Sequence, residues 1–281
     1  MKLKYYGVRG SIPAPGPKTV KYGGNTSCVA VEAGKELIIC DAGSGIRDLG
    51  LELLATEHGK GKGKAHVLIS HTHWDHIQGW PFFVPAYIGG NEYHMYGEKR
   101  LGKTVQDAID GQQEPPCFPE DAKFTSNMKF YELKEWQPFN IGDAKITPAR
   151  LNHPNGVFAY RIDHEGKSMV YATDTEHYSV PDGKLIKLAK DADVLIYDGQ
   201  YTPEEYPQKQ RWGHSTYEEG IKIAKAAGVK ELHLFHHDPA HSDETIDQIV
   251  ERARKEFPDT LAAKEGYELE LAATYAKEVL A

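Results

Sequence analysis

Cysteine is scarce in this chain of 281 residues, and the three that it has stand far apart. Cys28, Cys40 and Cys117 are too few and too scattered for a disulfide framework, and no Cys-x-x-Cys pair indicates a zinc site made of thiolates. The sequence therefore excludes a small disulfide-stapled fold and a cysteine-based zinc finger. The three residues are most simply core or near-core thiols.

Long apolar runs are also missing. No run approaches the ~18 residues that a membrane-spanning helix needs, and residues 1–5 lack the apolar stretch of a signal peptide. We therefore expect a cytoplasmic protein with no membrane partner. Linkers, repeats and low-complexity segments are missing too, and 40% of the residues are hydrophobic. We expect a single domain that spans residues 1–281.

The chain also lacks an excess of positive charge. The formal net charge is -8, so the average field of the protein repels a large polyanion. A local cationic site that holds metal could still attract a small phosphate. On this ground we expect no large nucleic acid among the partners.

Histidine, in contrast, is concentrated in the segment His71-Thr72-His73-Trp74-Asp75-His76. The apolar run at residues 65–70 predicts a buried strand, so this segment lies in the loop that follows it. A His-x-His pair on extended backbone points two imidazoles toward one metal ion, and Asp75 and His76 follow too closely to reach the same ion. Crowded without metal, these groups would be left unpaired and mutually repelling. The segment predicts two neighbouring metal ions.

Similar residues follow other predicted strands. In layered α/β folds, ligand sites gather at strand ends, where several segments of the chain converge on one crevice. Each of these residues alone could be a helix cap or a turn former, but their joint placement favours a site. They are Asp41, His71, His153, Asp174, Asp198 and His236.

Four motifs in this order resemble the metallo-β-lactamase superfamily, and the resemblance covers nearly the whole chain. It implies an α/β fold, the αββα metallo-β-lactamase sandwich, with two divalent metal ions, Zn or Mn, at one edge. The same fold carries many activities, so it does not name the substrate. The motifs are His71 to His76, Asn152-His153-Pro154, Thr173-Asp174-Thr175 and Leu234-Phe235-His236-His237-Asp238-Pro239.

The resemblance also implies a role for each residue. One metal takes His71, His73 and His153, the other takes Asp75, His76 and His236, and Asp174 bridges the two. His237 stays open as the alternative to His236, because a shift of one residue turns the side chain to the other face of a strand. Asp41 is expected to orient one of the ligand imidazoles.

Two further segments resemble the phosphodiesterase branch of the superfamily, which includes tRNase Z and the PhnP-like cyclic phosphodiesterases. They are residues 24–28 and Gly213-His214-Ser215-Thr216. The resemblance implies that His214 faces the phosphate and assists the leaving oxygen. Asp198 is our candidate to hold His214, and Asp75 is expected to orient the attacking hydroxide.

One departure from tRNase Z bears on the substrate. That enzyme carries a long tRNA-gripping arm between its third histidine motif and its bridging aspartate, whereas only 20 residues separate His153 from Asp174 here. We therefore expect a metal-dependent phosphodiesterase that hydrolyses a small cyclic phosphodiester, either a cyclic nucleotide or a ribose cyclic phosphate. The alternatives are an RNA-end nuclease, another hydrolase of this fold such as a lactonase, and a non-enzymatic metal-binding protein.

Two expectations concern the surroundings of the site. An aromatic group could stack on a nucleobase or belong to the core, and its members are Trp80, Phe82, Phe83 and Phe118. The proline-rich loop at residues 110–119 is either a lid or a plain surface excursion. Family members commonly dimerise, so a homodimer is possible, and this loop could reach the site of the partner.

Overall fold

The computed structural model describes residues 1–119 and 123–272. Two sheets of seven strands pack face to face, and helices cover the outer face of each sheet. This arrangement confirms the αββα sandwich that the sequence predicts. The single-domain organisation of residues 1–281 stays a prediction.

The first sheet has the strand order β14-β1-β2-β3-β4-β5-β6. It is antiparallel from β14 to β3 and parallel from β3 to β6. Its strands are β1 Lys2–Gly7, β2 Cys28–Ala33, β3 Glu36–Cys40, β4 Lys64–Leu68, β5 Glu92–Gly97, β6 Asn127–Glu132 and β14 Glu268–Glu270.

The second sheet has the order β13-β12-β11-β10-β9-β8-β7. It is antiparallel from β7 to β10 and parallel from β10 to β13. Its strands are β7 Phe139–Ile141, β8 Ala144–Leu151, β9 Val157–His164, β10 Lys167–Ala172, β11 Val194–Asp198, β12 Glu231–Phe235 and β13 Thr260–Ala262.

Within the described ranges, six α-helices connect these strands, and four short 3-10 helices lie between them. The α-helices are α1 Ile46–Leu53, α2 Trp74–Ile77, α3 Val105–Gly111, α4 Gly183–Leu188, α5 Tyr217–Ala227 and α6 Asp243–Glu256. The 3-10 helices are Glu57–Lys60, Trp80–Phe82, Val84–Tyr87 and Tyr206–Gln208. Among the helices of the described ranges, none is both long enough and apolar enough to cross a membrane.

The core lies in three layers, as the alternation of side chains along the strands requires. Between the sheets, Val29 and Val31 of β2 belong to the same buried cluster as Tyr160 and Ile162 of β9. Separate clusters fill the space under the helices outside each sheet. Burial on both faces of most strands explains why the sequence shows apolar runs there rather than a clear alternation.

The aromatic group that follows the histidine segment divides into two pairs. Trp80 and Phe83 are buried, stack on each other with ring centroids 5.0 Å apart, and both contact the ring of Tyr93. These two residues belong to the core outside the first sheet, which is one of the two alternatives that the sequence left open for them. Phe82 is 59% exposed and contacts Phe118 edge to face.

The segment Ser215-Thr216-Tyr217-Glu218 resembles a capping box with Ser215 as the cap, but helix α5 begins one residue later. Its cap is Thr216, whose hydroxyl accepts a hydrogen bond from the N–H of Glu219. Ser215 instead accepts a hydrogen bond from the hydroxyl of Tyr197. The cap places the Gly213-His214 segment directly before the helix, at the edge where the strands end.

Candidate metal centre

The residues that follow six strands meet at one edge of the sandwich. Three of them adopt the left-handed backbone region that non-glycine residues rarely enter: Asp41 with φ 61°, Asp174 with φ 50° and His236 with φ 59°. Such strain persists only where the surroundings enforce it, and it is concentrated at functional sites. Here it turns three side chains out of their strands and into a common crevice.

The first cluster consists of His71, His73, His153 and Asp174, whose nearest nitrogen and oxygen atoms all lie within 4.8 Å of one another. Nε2 of His153 lies 3.0 Å from Nδ1 of His73. Oδ2 of Asp174 lies 3.6 Å from Nε2 of His71 and 3.7 Å from Nε2 of His153. The structure thus brings together the set expected for the first metal.

The second cluster consists of Asp75, His76, Asp174 and His236. Nε2 of His236 lies 3.1 Å from Oδ2 of Asp75 and 3.2 Å from Oδ1 of Asp174. Nε2 of His76 lies 3.2 Å from the same two carboxylate oxygens. Asp174 belongs to both clusters through its two oxygens, as a bridging ligand requires.

The hydrogen bonds on the far side of each ring show that these clusters suit a cation. Nδ1 of His153 donates to the carbonyl oxygen of Gly213, and Nδ1 of His236 donates to Oε1 of Gln200. The other ring nitrogen, Nε2, then faces the cluster, and at His236 it lies beside two carboxylate oxygens. A ring held through Nδ1 in this way is the usual arrangement of an imidazole that binds a metal ion through Nε2.

Two buried nitrogen atoms, one in each cluster, support the same conclusion. Nε2 of His71 and Nε2 of His76 have no hydrogen-bond partner among the described residues. An unpaired polar atom in a protein interior costs about 1–3 kcal/mol. Divalent metal ions bound to both nitrogens would remove that cost, so the residues present fit a two-metal centre.

The electrostatics of the clusters favour metal binding as well. Burial lowers the pKa values of His71, His73 and His153, so these imidazoles are neutral and free to bind metal. At Asp174 burial raises the pKa, but the neighbouring His236 and His76 outweigh burial and hold it well below its usual range. The site therefore combines neutral nitrogen ligands with an ionised bridging carboxylate.

His76 is held from behind by Asp41, as expected. Nδ1 of His76 donates to Oδ2 of Asp41 at 2.7 Å, and both side chains are completely buried. Asp41 also accepts hydrogen bonds from the N–H and hydroxyl of Ser70 and from the hydroxyl of Tyr171. Sequence reasoning missed Ser70 and Tyr171, because neither carries a motif and Tyr171 reaches Asp41 from the other sheet.

Replacing Asp41 by asparagine is expected to weaken metal binding without removing a ligand. The amide cannot accept from all four donors, so the His76 ring loses its fixed orientation, and such losses reduce metal affinity about 10–100-fold. Competition with a chelator, followed by metal analysis, measures the change. Asp163→Asn is the control because Asp163 pairs with Arg161 far from the site. Unchanged metal affinity in Asp41→Asn would contradict this role.

The structure distinguishes His236 from its neighbour. His237 lies on the other side of the backbone, where its Nε2 donates to the carbonyl oxygen of Ala263 at 2.9 Å. It is buried and belongs to neither cluster. The residue that directly follows β12 is therefore the one that faces the centre.

His237 is expected to make folding sensitive to acid. Burial lowers its pKa from 6.5 to about 3, so below about pH 6.5 the unfolded chain binds a proton that the folded chain does not. The contribution to stability is complete above pH 6.5 and is lost as the pH falls toward 3. Compared with His237→Gln, the wild type should lose about 1.4 kcal/mol more per pH unit in this range. Denaturant unfolding at several pH values measures both proteins, and equal slopes would refute the prediction.

His214 and Asp198 form a pair beside the second cluster. Nδ1 of His214 lies 2.9 Å from Oδ2 of Asp198 and 4.0 Å from Oδ2 of Asp174. Burial alone would lower the pKa of His214, but the charge of Asp198 and the hydrogen bond to it raise the pKa to about 9. The imidazole therefore carries a proton at neutral pH, next to the predicted metal ligands.

Glu176 anchors the loop that presents His214, and sequence reasoning missed it. Its buried carboxylate accepts hydrogen bonds from the N–H groups of Arg211 and Gly213. Gly213 has φ 92°, and a Cβ there would lie 2.3 Å from Nδ1 of His153, so only glycine fits. The sequence signal that could have identified Glu176 is its position two residues after Asp174, in the segment Thr173-Asp174-Thr175-Glu176.

One cavity lies beside the candidate metal centre, and a larger one lies away from it. A cavity of about 160 Å³ adjoins His71 and His73, and residues 100–103 form its opposite wall. A larger one of about 670 Å³ lies over the outer face of the first sheet, lined by residues such as Lys4 and Glu52. The larger cavity contains none of the predicted site residues, so its size does not mark the centre.

A model of the beta-lactamase superfamily domain matches residues 37–237, which include every candidate ligand. The chain belongs to the beta-lactamase superfamily. A ribonuclease Z of Thermoplasma volcanium is 34% identical over 256 residues, covering 73% of this chain and 80% of that protein. The aligned stretch is longer than the part of this chain that it covers, so that relative has insertions that are missing here.

Two solved structures share the fold of this superfamily member. The metallo-beta-lactamase fold protein YhfI of Bacillus subtilis has a TM-score of 0.71 at 23% identity, covering 95% of this chain and 98% of its own. Human tRNase Z, short form, has a TM-score of 0.69 at 18% identity, covering 97% and 100%.

These relationships confirm the branch and the enzyme class. The prediction of a metal-dependent hydrolase of phosphoric ester bonds is confirmed by the superfamily match together with the ribonuclease Z relatives. The exclusion of a large nucleic acid, with a small cyclic phosphodiester as the expected partner, is wrong, because those relatives are named for cleaving RNA.

Neither the net charge nor the missing arm excludes RNA as a substrate. Net charge describes the average field and not the local field at a site that holds metal. The residues between His153 and Asp174 are indeed used up by β9 and β10, so no arm is inserted there. A missing arm removes one way of holding RNA, but it does not remove the centre that would cleave it.

Proposed function

We propose that this enzyme is a two-metal ribonuclease that hydrolyses a phosphodiester bond near the end of an RNA chain. The observation that carries the proposal is the His214–Asp198 pair, because it places a protonated imidazole beside two clusters of metal ligands. The ribonuclease Z relatives support RNA as the substrate.

Two zinc ions are the proposed cofactors, and the two clusters, which share Asp174, would hold them. Three neutral imidazoles in the first cluster suit zinc better than magnesium or calcium. When bound, such ions polarise a phosphoryl oxygen and lower the pKa of water toward neutrality. Metal analysis of protein purified without added metal tests the choice of zinc. Two manganese or two iron ions per chain would contradict it.

The residues of the chain supply positioning and a proton. The carboxylate of Asp75 accepts a hydrogen bond from the N–H of Ser11 at 2.8 Å, which fixes its orientation. In this orientation Asp75 would bind a metal ion and also direct the attacking oxygen. His214 donates its Nε2 proton to the departing ribose oxygen, while Asp198 keeps Nδ1 protonated and the ring in place. Attack and departure then occur on opposite sides of the phosphorus.

Exposed aromatic rings near the centre suit a substrate with bases. Trp74 stands between His73 and Asp75 and is 74% exposed, and Trp212 directly precedes the Gly213-His214 segment and is 59% exposed. Aromatic rings in such positions stack on bases of single-stranded nucleic acid with little dependence on sequence. We propose that Trp74 and Trp212 receive bases that flank the cleaved bond.

Turnover by the purified zinc-loaded protein tests the proposal. The substrates are a transfer RNA precursor with a 3′ extension, an unstructured RNA oligonucleotide, and bis(p-nitrophenyl) phosphate, a small diester without bases. We expect cleavage of RNA at one position near its end, and far higher kcat/KM for RNA than for the small diester. Turnover of the small diester with no cleavage of either RNA would overturn the ribonuclease proposal.

A further inference from the structure

We propose that Arg100 and Lys103 form a binding site for a second phosphate of the RNA chain, one that is not cleaved. This inference rests on the proposed ribonuclease function and extends it to the path of the substrate. The site is the cavity of about 160 Å³ that adjoins His71 and His73. A phosphate there would lie beside the first metal cluster.

Two backbone hydrogen bonds close the turn that carries the two cations. The N–H of Arg100 donates to the carbonyl oxygen of Lys103 at 2.8 Å, and the N–H of Lys103 donates back at 2.7 Å. The two residues between them, Leu101 and Gly102, have φ values of 48° and 79°, as in the tight turns of β-hairpins. Arg100 and Lys103 are therefore paired directly across the turn.

Arg100 lies against the loop that carries His153. Its guanidinium lies against Gly156, where a Cβ would overlap Nη2. Gly156 also has φ 78°, so a side chain is unfavourable for two reasons. Glycine at this position lets a cation lie next to the loop of a predicted metal ligand.

The charges around the cavity do not cancel. Arg100 and Arg150 both pair with the single carboxylate of Glu98. Lys103 forms no ion pair with any carboxylate in the described part of the chain, although it lines the cavity. The charged residues that line the cavity are thus two cations, Arg100 and Lys103, and one carboxylate, Glu98, which leaves an excess of positive charge for an anion.

One buried donor in this group also lacks a partner. Nη2 of Arg100 has no hydrogen-bond partner within residues 1–119 and 123–272, although it is shielded from solvent. A purely structural arginine normally uses its donors, because an unpaired buried donor costs free energy. A phosphate oxygen is the acceptor that a guanidinium group binds best.

The test compares Lys103→Gln with Lys190→Gln. Lys103 and Lys190 are both exposed, so neither substitution should disturb folding, and both remove one positive charge. Lys190 follows α4 outside the second sheet and lines none of the cavities beside the centre. Arg100→Gln is the second variant, with thermal unfolding measured alongside because Arg100 also pairs with Glu98.

We expect Lys103→Gln to raise KM for an RNA oligonucleotide roughly tenfold and to leave kcat unchanged, as for a lost phosphate contact. The dependence of log KM on log salt concentration should become shallower by about 0.7, the value for one phosphate of a single strand. Turnover of bis(p-nitrophenyl) phosphate, which has only one phosphate, should not change. Lys190→Gln should match the wild type in all three measurements.

Inhibition by single-stranded DNA separates this inference from the ribonuclease proposal. The probe is a DNA oligonucleotide that competes with turnover of bis(p-nitrophenyl) phosphate, so it reports phosphate binding whether or not RNA is cleaved. Weaker inhibition of Lys103→Gln than of Lys190→Gln supports the phosphate site. Equal inhibition of both variants overturns it. Failure of the wild type to cleave RNA counts against the ribonuclease proposal alone.

Discussion

Replacing His71 by alanine is expected to remove metal and activity together. The Nε2 atom of His71 is one of two buried site nitrogens without a hydrogen-bond partner in the described ranges, and the variant loses this ligand altogether. Several kcal/mol of transition-state stabilisation depend on the metal, so kcat/KM should fall by on the order of 10³-fold or more. Metal analysis of the purified variant and turnover of RNA measure the two losses.

A second histidine provides the matched control. His164 is also buried, but it lies at the end of β9 and belongs to neither cluster. His164→Ala should keep both metal ions and most of the activity per folded molecule. Two metal ions still bound to His71→Ala would contradict the ligand assignment, whatever the activity of that variant.

Replacing His214 by alanine is expected to reduce kcat while both metal ions stay bound. A positioned general acid contributes about 10²–10⁴-fold to the rate, and the pKa of His214, raised to about 9, keeps this group protonated at neutral pH. The leaving oxygen then departs without a proton. Single-turnover cleavage of RNA, with metal analysis of the same sample, separates this loss from a loss of metal.

The leaving group and the partner of His214 provide the controls. A diester whose leaving group is p-nitrophenolate needs little protonation, so His214→Ala should lose much less activity on bis(p-nitrophenyl) phosphate than on RNA. Asp198→Asn should act in the same direction as His214→Ala, because it removes the charge that holds the proton. Equal losses on both substrates would contradict the role of His214 as a general acid.

Nucleic acid was wrongly excluded because the net charge of a protein does not describe the charge near its site. A formal charge of -8 is a sum over the whole surface, and it does not show that Arg100 and Lys103 line one cavity with the single carboxylate of Glu98 beside the predicted metal ligands. The distribution of charge depends on which loops meet, and here residues 98–103, 150 and 155–156 meet only in the folded chain. Local charge decides binding near a site.

The sequence by itself determined which residues make up the two candidate metal clusters as a set. His71, His73, Asp75 and His76 are close along the chain, and His153 and Asp174 follow strands that are recognisable from their apolar residues. Neighbours in sequence and strand ends are local information, so a pattern of residue types can reveal them. The family resemblance added the pairing of these residues into two clusters.

The tertiary structure alone decided which neighbours hold the site in place. It selected His236 over His237 through a left-handed backbone at the end of β12, and it brought Tyr171 to Asp41 and Glu176 to the loop before His214. It also placed Trp80 and Phe83 in the core and Arg100 against Gly156. Backbone angles after a strand, and contacts between segments far apart in the chain, depend on how the two sheets pack. No periodicity of residue types records that packing.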